Sequence, residues 1–181
     1  MNSDKIIKLS ISIIICEFAG VIGSVFTTPS IENWFADLNK PVFSPPNWIF
    51  APVWTLLFLL MGIAFYLAWD KKWTVKNKIK IGAKIKLNKF FEEFWSGKWQ
   101  KGTTISIFFI QLFLNIYWSL LFFGRHAIGS AFFELIVLWF AILLTIISFY
   151  RVSKTAAYLL LPYILWVSFA GILNYFLWTL N

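Results

Sequence analysis

Tryptophan and amide side chains recur at helical spacing in the most apolar stretches of this sequence. Trp54, Trp118 and Trp166 each share a predicted helix face with small or polar residues, at the three- and four-residue steps that keep side chains on one side of a helix. Gln111 and Asn115 lie on the same predicted face as Trp118. A cavity walled by indoles and a few amides suits a flat, largely apolar ligand with some polar groups. The alternative is that the two amides only hydrogen-bond neighbouring helices.

Stripes of the same period mark four apolar stretches. The first contains Ser10, Ile13, Glu17, Gly20 and Ser24. The others contain Trp54, Phe58, Met61 and Phe65; Thr104, Phe108, Gln111, Asn115, Trp118 and Phe122; and Tyr163, Trp166, Ala170 and Asn174. Polar groups inside a bilayer are costly and usually face the interior of a helix bundle. We therefore expect these stripes to point inward.

Two acidic residues, Glu17 and Glu134, lie inside apolar stretches with no lysine or arginine at a matching depth. A carboxyl group in such surroundings is expected to be protonated or hydrogen-bonded. For Glu17, a part in a proton relay is the functional alternative to a purely structural role.

Other chemistry is excluded by the residues that are scarce. The chain has one cysteine, Cys16, and one histidine, His126, so neither an internal disulfide nor an ordinary metal site is predicted. It contains no phosphate-binding glycine-rich loop, and no Ser–His–acid set can be assembled around a histidine in a tight loop. We predict no metal and no covalently bound cofactor.

The elements that must position these residues are membrane spans. The composition is 60% hydrophobic and only 13% charged, against about a quarter charged in soluble domains. Five stretches are long enough to cross a bilayer, at about 6–26, 48–69, 104–123, 128–150 and 156–180. The prediction is an all-α membrane protein, a five-transmembrane-helix bundle forming a single domain over residues 1–181, with short connections that make the last three spans antiparallel neighbours.

Some features of these spans are also predicted. Proline removes a backbone donor, so Pro52 and Pro162 mark positions where the second and fifth spans could kink. The remaining tryptophans near span ends or on outer faces are expected to meet lipid or the interface. These are Trp69, Trp73, Trp139 and Trp178.

The basic residues predict the orientation. Of the 16 lysines and arginines, all but Lys40 and Arg125 fall on one side of the predicted membrane. Positive residues in short loops stay cytoplasmic. We therefore expect an integral protein of a prokaryotic cell (plasma) membrane, with its amino terminus in the cytoplasm and its carboxy terminus outside.

Most of that positive charge lies in the long basic loop of residues 70–103 between the second and third spans. A solvated loop that enforces the topology is the simplest interpretation. A patch that binds anionic lipid is the alternative, with a short amphipathic helix at 87–95. We do not expect nucleic acid as a partner, because these basic residues lie where anionic lipid is available to bind them.

Three blocks of sequence resemble a known family. They are WFADLNKPVFSPPNWIFAPVWT at 34–55, QLFLNIYWSLLFFG at 111–124 and LPYILWVSFAGILN at 161–174. They are similar, in the same order, to the TspO/MBR family of tryptophan-rich sensory proteins and translocator proteins. The resemblance implies a five-helix bundle, a homodimer, and a hydrophobic pocket for porphyrins such as protoporphyrin IX or haem.

Matching the family's motifs residue by residue implies the pocket. The implied ligand-binding residues are Trp34, Trp54, Asn115, Trp118, Trp166 and Ala170. This chain departs from the family in the first loop, where Phe35 replaces the usual tyrosine after the tryptophan. A phenolic hydrogen bond is lost there.

The proline-rich segment before the second span is expected to act as a lid. Pro41, Pro45 and Pro46 stiffen it. With Trp34 and Phe43, Trp48 would then roof the pocket, while Trp54 enters it.

Three functions remain open. The first is a membrane receptor, sensor or carrier for tetrapyrrole-like and other hydrophobic aromatic ligands. The second is an enzyme that degrades bound porphyrin oxidatively in light, with Trp166 or Trp34 as the redox-active side chain. The third is a scaffold that binds partners through the basic loop.

Overall fold

The structure is a computed structural model that describes residues 3–71 and 101–181. Its helices are α1 (Ser3–Ser30), α2 (Phe50–Asp70), α3 (Lys101–Ser119), α4 (Ile128–Val152), α5 (Lys154–Tyr158) and α6 (Leu161–Leu180). Single π-helical turns continue α1 over Ile31–Phe35 and α3 over Leu120–Gly124, and a 3-10 turn, Asn47–Ile49, precedes α2. The described part is 89% helical and contains no strand.

The predicted fold class is confirmed. Five helical segments of the described chain are long and apolar enough to span a membrane, with α5 and α6 together forming the fifth. The helices of the last three spans pack side by side, α3 against α4 and α4 against α6, as their short connections predict. The protein is therefore an integral membrane protein with an all-α, five-span architecture.

The fifth span is not the continuous helix predicted for 156–180. It breaks at a turn over Leu159 and Leu160, and α6 begins at Leu161 with Pro162 in its first turn. Proline is best tolerated there, since the first turn of a helix has no intrahelical acceptor for its missing N–H. Pro162 thus starts a new helix instead of kinking an existing one.

The bounds of the first two spans also differ from the prediction. α1 begins at Ser3 and extends past Pro29, well beyond the expected end at residue 26. Trp48 lies in the 3-10 turn before α2, so Pro52 falls in the first turn of that helix. The predictions for the lysines at 72–98 and for the amphipathic helix at 87–95 lie outside the described residues.

A close approach joins α1 to α2. A Cβ atom added to Gly62 would lie 2.7 Å from the Cα atom of Ile13, so only glycine permits this spacing. At the end of the same helix pair, the Lys8 ammonium lies 2.9 Å from the Asp70 carboxylate. The two helices therefore meet along backbone and through an ion pair that fixes their register.

Stacked aromatic rings fill the half of the bundle that contains this ion pair. Phe65 stacks on Phe108 with ring centroids 4.6 Å apart, and Phe108 stacks on Phe149 at 5.8 Å. These rings link α2, α3 and α4 in one row. Met61 and Ile142 are fully buried beside them, so this half of the bundle is solid.

Trp139 is not a lipid-facing residue as predicted. Its indole N–H donates a hydrogen bond to the hydroxyl of Ser168 on α6, with 2.8 Å between nitrogen and oxygen, and the ring is half-buried. A hydrogen-bond partner on the neighbouring helix turned the indole inward. No stripe was identified in the fourth span, so the sequence did not reveal this partner.

We expect Gly62→Ala to destabilise the protein, because the added methyl group would collide with the α1 backbone. Overpacking of this kind costs about 1–3 kcal/mol. Thermal unfolding in detergent, followed by circular dichroism, measures the loss. Gly102→Ala is the matched control, since a Cβ atom at Gly102 meets nothing within 4 Å. Equal melting temperatures for the two variants would contradict the close approach of α1 and α2.

Candidate functional site

A cavity of about 340 Å³ lies in the other half of the bundle, between α1, α2, α3 and α6. Aromatic residues provide much of its wall. The aromatic lining residues are Phe35, Phe50, Trp54, Phe58, Trp118, Phe122, Phe123 and Trp166. Its volume falls in the range of small-molecule sites, about 300–1,000 Å³.

Five of the six predicted ligand-binding residues line this cavity. Trp54 comes from α2, Asn115 and Trp118 from α3, and Trp166 and Ala170 from α6. Their approach follows from the three- and four-residue steps in each helix, which put them on the faces that meet. The structure therefore brings together residues that are up to 116 positions apart, Trp54 and Ala170.

Trp34, the sixth, is not among the lining residues. Its indole stacks on the His126 ring at 4.1 Å and meets the edge of Phe122 at 5.4 Å. His126 has a φ of 52° in the turn after α3, which is a left-handed conformation that few side chains adopt. Trp34 therefore packs behind the cavity wall, with Phe122 between it and the cavity.

The proline-rich segment also lies away from the cavity lining. Pro41, Pro45, Pro46 and Trp48 are not lining residues, and Trp48 is 71% exposed. Phe43 packs on α6, with its ring 5.3 Å from that of Phe176. The residues of the connection between α1 and α2 that do line the cavity are Ile31, Phe35 and Asn47.

Hydrogen bonds to Asn181 hold this connection in place. The Asn39 backbone N–H donates to Asn181 Oδ1 at 2.9 Å, and Asn181 Nδ2 donates to the Asn39 carbonyl at 3.1 Å. The Asn39 side-chain amide donates to the Leu180 carbonyl at 3.3 Å. These bonds tie the Asn39 part of the connection to the end of α6.

The amides of the cavity also join helices, as the structural alternative predicted. Asn115 Nδ2 donates to the Tyr163 hydroxyl at 3.0 Å, which connects α3 to α6. Asn174 accepts from the indole of Trp118 at 3.2 Å and donates to the Ile128 carbonyl at 2.9 Å. Asn115 and Asn174 line the cavity as well, so each amide both joins helices and borders the ligand space.

Gln111 has only the structural role within the described residues. It is 1% exposed, does not line the cavity, and lies 3.9 Å from the Met61 sulfur through Nε2. Its carbonyl oxygen is buried without a hydrogen-bond partner in the described part of the chain. The Trp166 indole nitrogen is likewise buried and unpartnered there.

The two intramembrane acids have different surroundings. Glu17 lines the cavity from the middle of α1 and is half-buried. Glu134 is 8% exposed, is not a lining residue, and has no hydrogen-bond partner for either oxygen among the described residues. Of the two expected outcomes for Glu134, the described structure shows no hydrogen bond, and protonation stays a prediction.

Some lining residues escaped the sequence analysis. Ala51 lies one turn before Trp54 on α2, so extending that stripe would have found it. Thr55 directly follows Trp54, so only a wider stripe would have included it. Phe35 and Asn47 belong to irregular segments, where periodicity carries no signal. Among the described residues, no three His, Cys, Asp or Glu side chains come together as metal ligands.

Comparison with known proteins places this architecture among relatives of the same size. The TspO/MBR family model matches residues 12–179. The chain is 39% identical to the tryptophan-rich protein TspO of Archaeoglobus fulgidus, over 98% of this chain and 99% of that protein. It is 33% identical to the bovine (Bos taurus) translocator protein, over 90% of this chain and 83% of that protein. It is 26% identical to the tryptophan-rich sensory protein of Cereibacter sphaeroides, over 91% of this chain and 89% of that protein.

The Asn115–Tyr163 bond predicts a stability effect at the cavity wall. Tyr163→Phe removes the acceptor and leaves a buried amide donor unpaired, which costs about 1–3 kcal/mol. We expect a lower melting temperature for the ligand-free protein in detergent. Tyr158→Phe is the control, because Tyr158 lies near the start of the same span and is 55% exposed. It should change the melting temperature little. A similar shift in both variants would mean that the bond between α3 and α6 does not stabilise the fold.

Proposed function

Because the chain belongs to the TspO/MBR family, we propose that it is a membrane receptor, sensor or carrier that binds porphyrin-like and other flat aromatic ligands in the cavity between α1, α2, α3 and α6. The names of two relatives, translocator protein and tryptophan-rich sensory protein, describe transport and sensing. The observation that carries the proposal is that the indoles of Trp54, Trp118 and Trp166 face one cavity of about 340 Å³.

The wall chemistry supports a flat ligand. Trp118 stacks on Phe122 with centroids 5.1 Å apart and planes 20° apart, which presents a broad aromatic surface. Trp54 lies near Phe58, at 5.7 Å and 32°. Offset stacking on such surfaces stabilises an aromatic ligand by about 0.5–1.5 kcal/mol per ring pair beyond burial of area. The amides of Asn115 and Asn174 supply polar groups at the same wall.

The cavity reaches the protein surface between α1 and α2. Lining residues on both helices are also exposed: Val21 and Ser24 on α1, and Ala51 and Thr55 on α2. In a bilayer this opening faces lipid, where hydrophobic ligands concentrate. Entry from the membrane therefore suits a ligand of the proposed class.

Oxidative degradation of bound porphyrin is the enzymatic alternative. Trp166, the first candidate for a redox-active side chain, lines the cavity with its indole nitrogen unpartnered in the described structure. Trp34, the second, is separated from the cavity by Phe122. Protoporphyrin absorption in light and in darkness separates the functions: an unchanged bound spectrum supports binding, and protein-dependent loss of the main band supports degradation. Absence of any binding would favour the scaffold.

For the pocket itself, we expect Trp166→Phe to weaken protoporphyrin IX binding by roughly threefold to tenfold, since a smaller ring stacks over less area. Titration monitored by porphyrin absorbance measures the affinity. Trp69→Phe is the matched control, because Trp69 stacks on Phe65 outside the cavity lining. It should change affinity less than about twofold. Equal weakening by both substitutions would place the porphyrin elsewhere.

The orientation is proposed from charge. Lys8, Asp70 and Lys101 meet at one end of the bundle, where Lys101 also donates to the Trp69 carbonyl at 2.8 Å. Lys40 and Arg125 lie at the opposite end. By the positive-inside rule, the lysine-rich end is cytoplasmic. The prokaryotic cell membrane and the homodimer implied by the resemblance stay predictions.

A fusion experiment tests this orientation. Alkaline phosphatase joined after Asn181 should be active, since it folds only outside the cytoplasm, and a green fluorescent protein joined at the same point should stay dark. The same two reporters joined before Ser3 should give the opposite pattern. A fluorescent carboxy-terminal fusion would overturn the proposed orientation.

A further inference from the structure

Glu17 is the one ionisable side chain among the cavity's lining residues in the described part of the chain. It lies near the middle of α1, about halfway along a 28-residue helix. No hydrogen bond or ion pair to it occurs within the described residues. Its carboxyl group is therefore available to whatever occupies the cavity.

No positive charge of the described chain balances this carboxyl. The basic residues near α1 lie at the helix ends: Lys8 is paired with Asp70 at 2.9 Å, and Lys40 lies beyond the outer turn with its ammonium over the Phe35 ring. Neither lines the cavity. No described side chain supplies a compensating charge or hydrogen bond to Glu17, so a ligand or water in the cavity can supply it.

We propose that Glu17 selects ligands that carry a basic nitrogen on a flat aromatic body. The inference rests on the proposed function, since it assumes that the cavity binds aromatic ligands, and it adds the charge that they carry. The preference for a basic nitrogen holds in both protonation states of Glu17, and its ionised state also repels ligand carboxylates. An ionised Glu17 accepts a hydrogen bond from a protonated amine, whereas a neutral Glu17 donates its O–H to an unprotonated one.

The aromatic wall favours the same charge. The negative faces of indole rings attract cations within about 6 Å, and tryptophan does so most strongly. Trp54, Trp118 and Trp166 line the cavity together with Glu17. A ligand cation inside it would therefore meet indole faces as well as a carboxyl group.

The position of Glu17 also orients the ligand. Along α1 and its π-helical continuation, the lining residues run from Glu17 to Phe35, so Glu17 marks the inner end of the cavity. A basic nitrogen should lie at this end. Carboxylate groups of a ligand would be repelled from it and left at the outer end, beside Thr28 and Asn47. Porphyrins with acidic side chains are compatible with the cavity only in that orientation.

Three probes that share one ring system test the charge preference: pyrenemethylamine, pyrenemethanol and pyrenecarboxylate. Binding to the full-length protein in neutral detergent is measured by quenching of tryptophan fluorescence. The variant is Glu17→Gln, which keeps the shape and removes the charge. Glu32→Gln is the matched control, because Glu32 is exposed in the turn after α1 and does not line the cavity. Partitioning of each probe into detergent is the same for every variant.

We expect Glu17→Gln to weaken pyrenemethylamine binding by about tenfold or more, the effect of losing one charge-assisted hydrogen bond. The affinity of the Glu17→Gln variant for pyrenemethanol should lie within about twofold of the parent protein's affinity, which would show that the cavity is intact. Pyrenecarboxylate should bind more tightly than before. Glu32→Gln should change none of the three.

Several results would overturn the inference. Equal weakening of all three probes would make Glu17 a structural residue, and no change with any probe would remove it from the binding site. Absence of binding by all probes to the parent protein would also refute it. Loss of protoporphyrin binding alone, with Glu17-dependent amine binding retained, would refute the porphyrin proposal and support this one. Porphyrin binding without a Glu17-dependent preference for the amine would support the porphyrin proposal and refute this one.

Discussion

Every backbone N–H and C=O in the hydrocarbon core must find a partner within the protein, and the described structure follows from that constraint. It confines the crossing segments to helices and leaves irregular backbone to the ends of the bundle. The π turns Ile31–Phe35 and Leu120–Gly124 and the 3-10 turn Asn47–Ile49 all occur at the end where the cavity lies. The break at Leu159 and Leu160 belongs to the opposite end. Because helices cannot bend freely between these points, only side chains can shape the interior.

Side chains shape the interior differently in the two halves of the bundle. In the half proposed to be cytoplasmic, Gly62 allows backbone contact, and the stacked rings of Phe65, Phe108 and Phe149 are buried in the core. In the other half, Gly20 and Gly23 on α1 and Ala170 on α6 are small residues that line the same cavity as the indoles. The solid half holds the helices in register, and the hollow half can therefore tolerate a cavity without collapsing.

Helical periodicity predicted the architecture and 11 of the 25 residues that line the cavity. A stripe belongs to a single helix. Polar or small residues in the stripe show which face of that helix packs inside the bundle, as they do around Trp118 and Trp166. Periodicity could not place Trp34, whose position depends on stacking with His126 from another connection. It also misplaced Trp139, whose hydrogen bond reaches Ser168 on a different helix. The break before Pro162 was misjudged because a proline in an apolar run is equally compatible with a kink and with a new helix start.

The hydrogen bonds between Asn39 and Asn181 join residues 142 positions apart. A ribosome makes the chain from the amino terminus, so α1, α2 and the connection between them are synthesised long before α6. Trp166, Ala170 and Asn174, all on α6, complete the cavity wall, which is consequently absent until the last span has entered the membrane. During synthesis, the indole of Trp54 and the carboxyl of Glu17 would face lipid or an insertion partner. Assembly of the cavity is thus a late step, and the closing of the Asn39–Asn181 contact marks its completion.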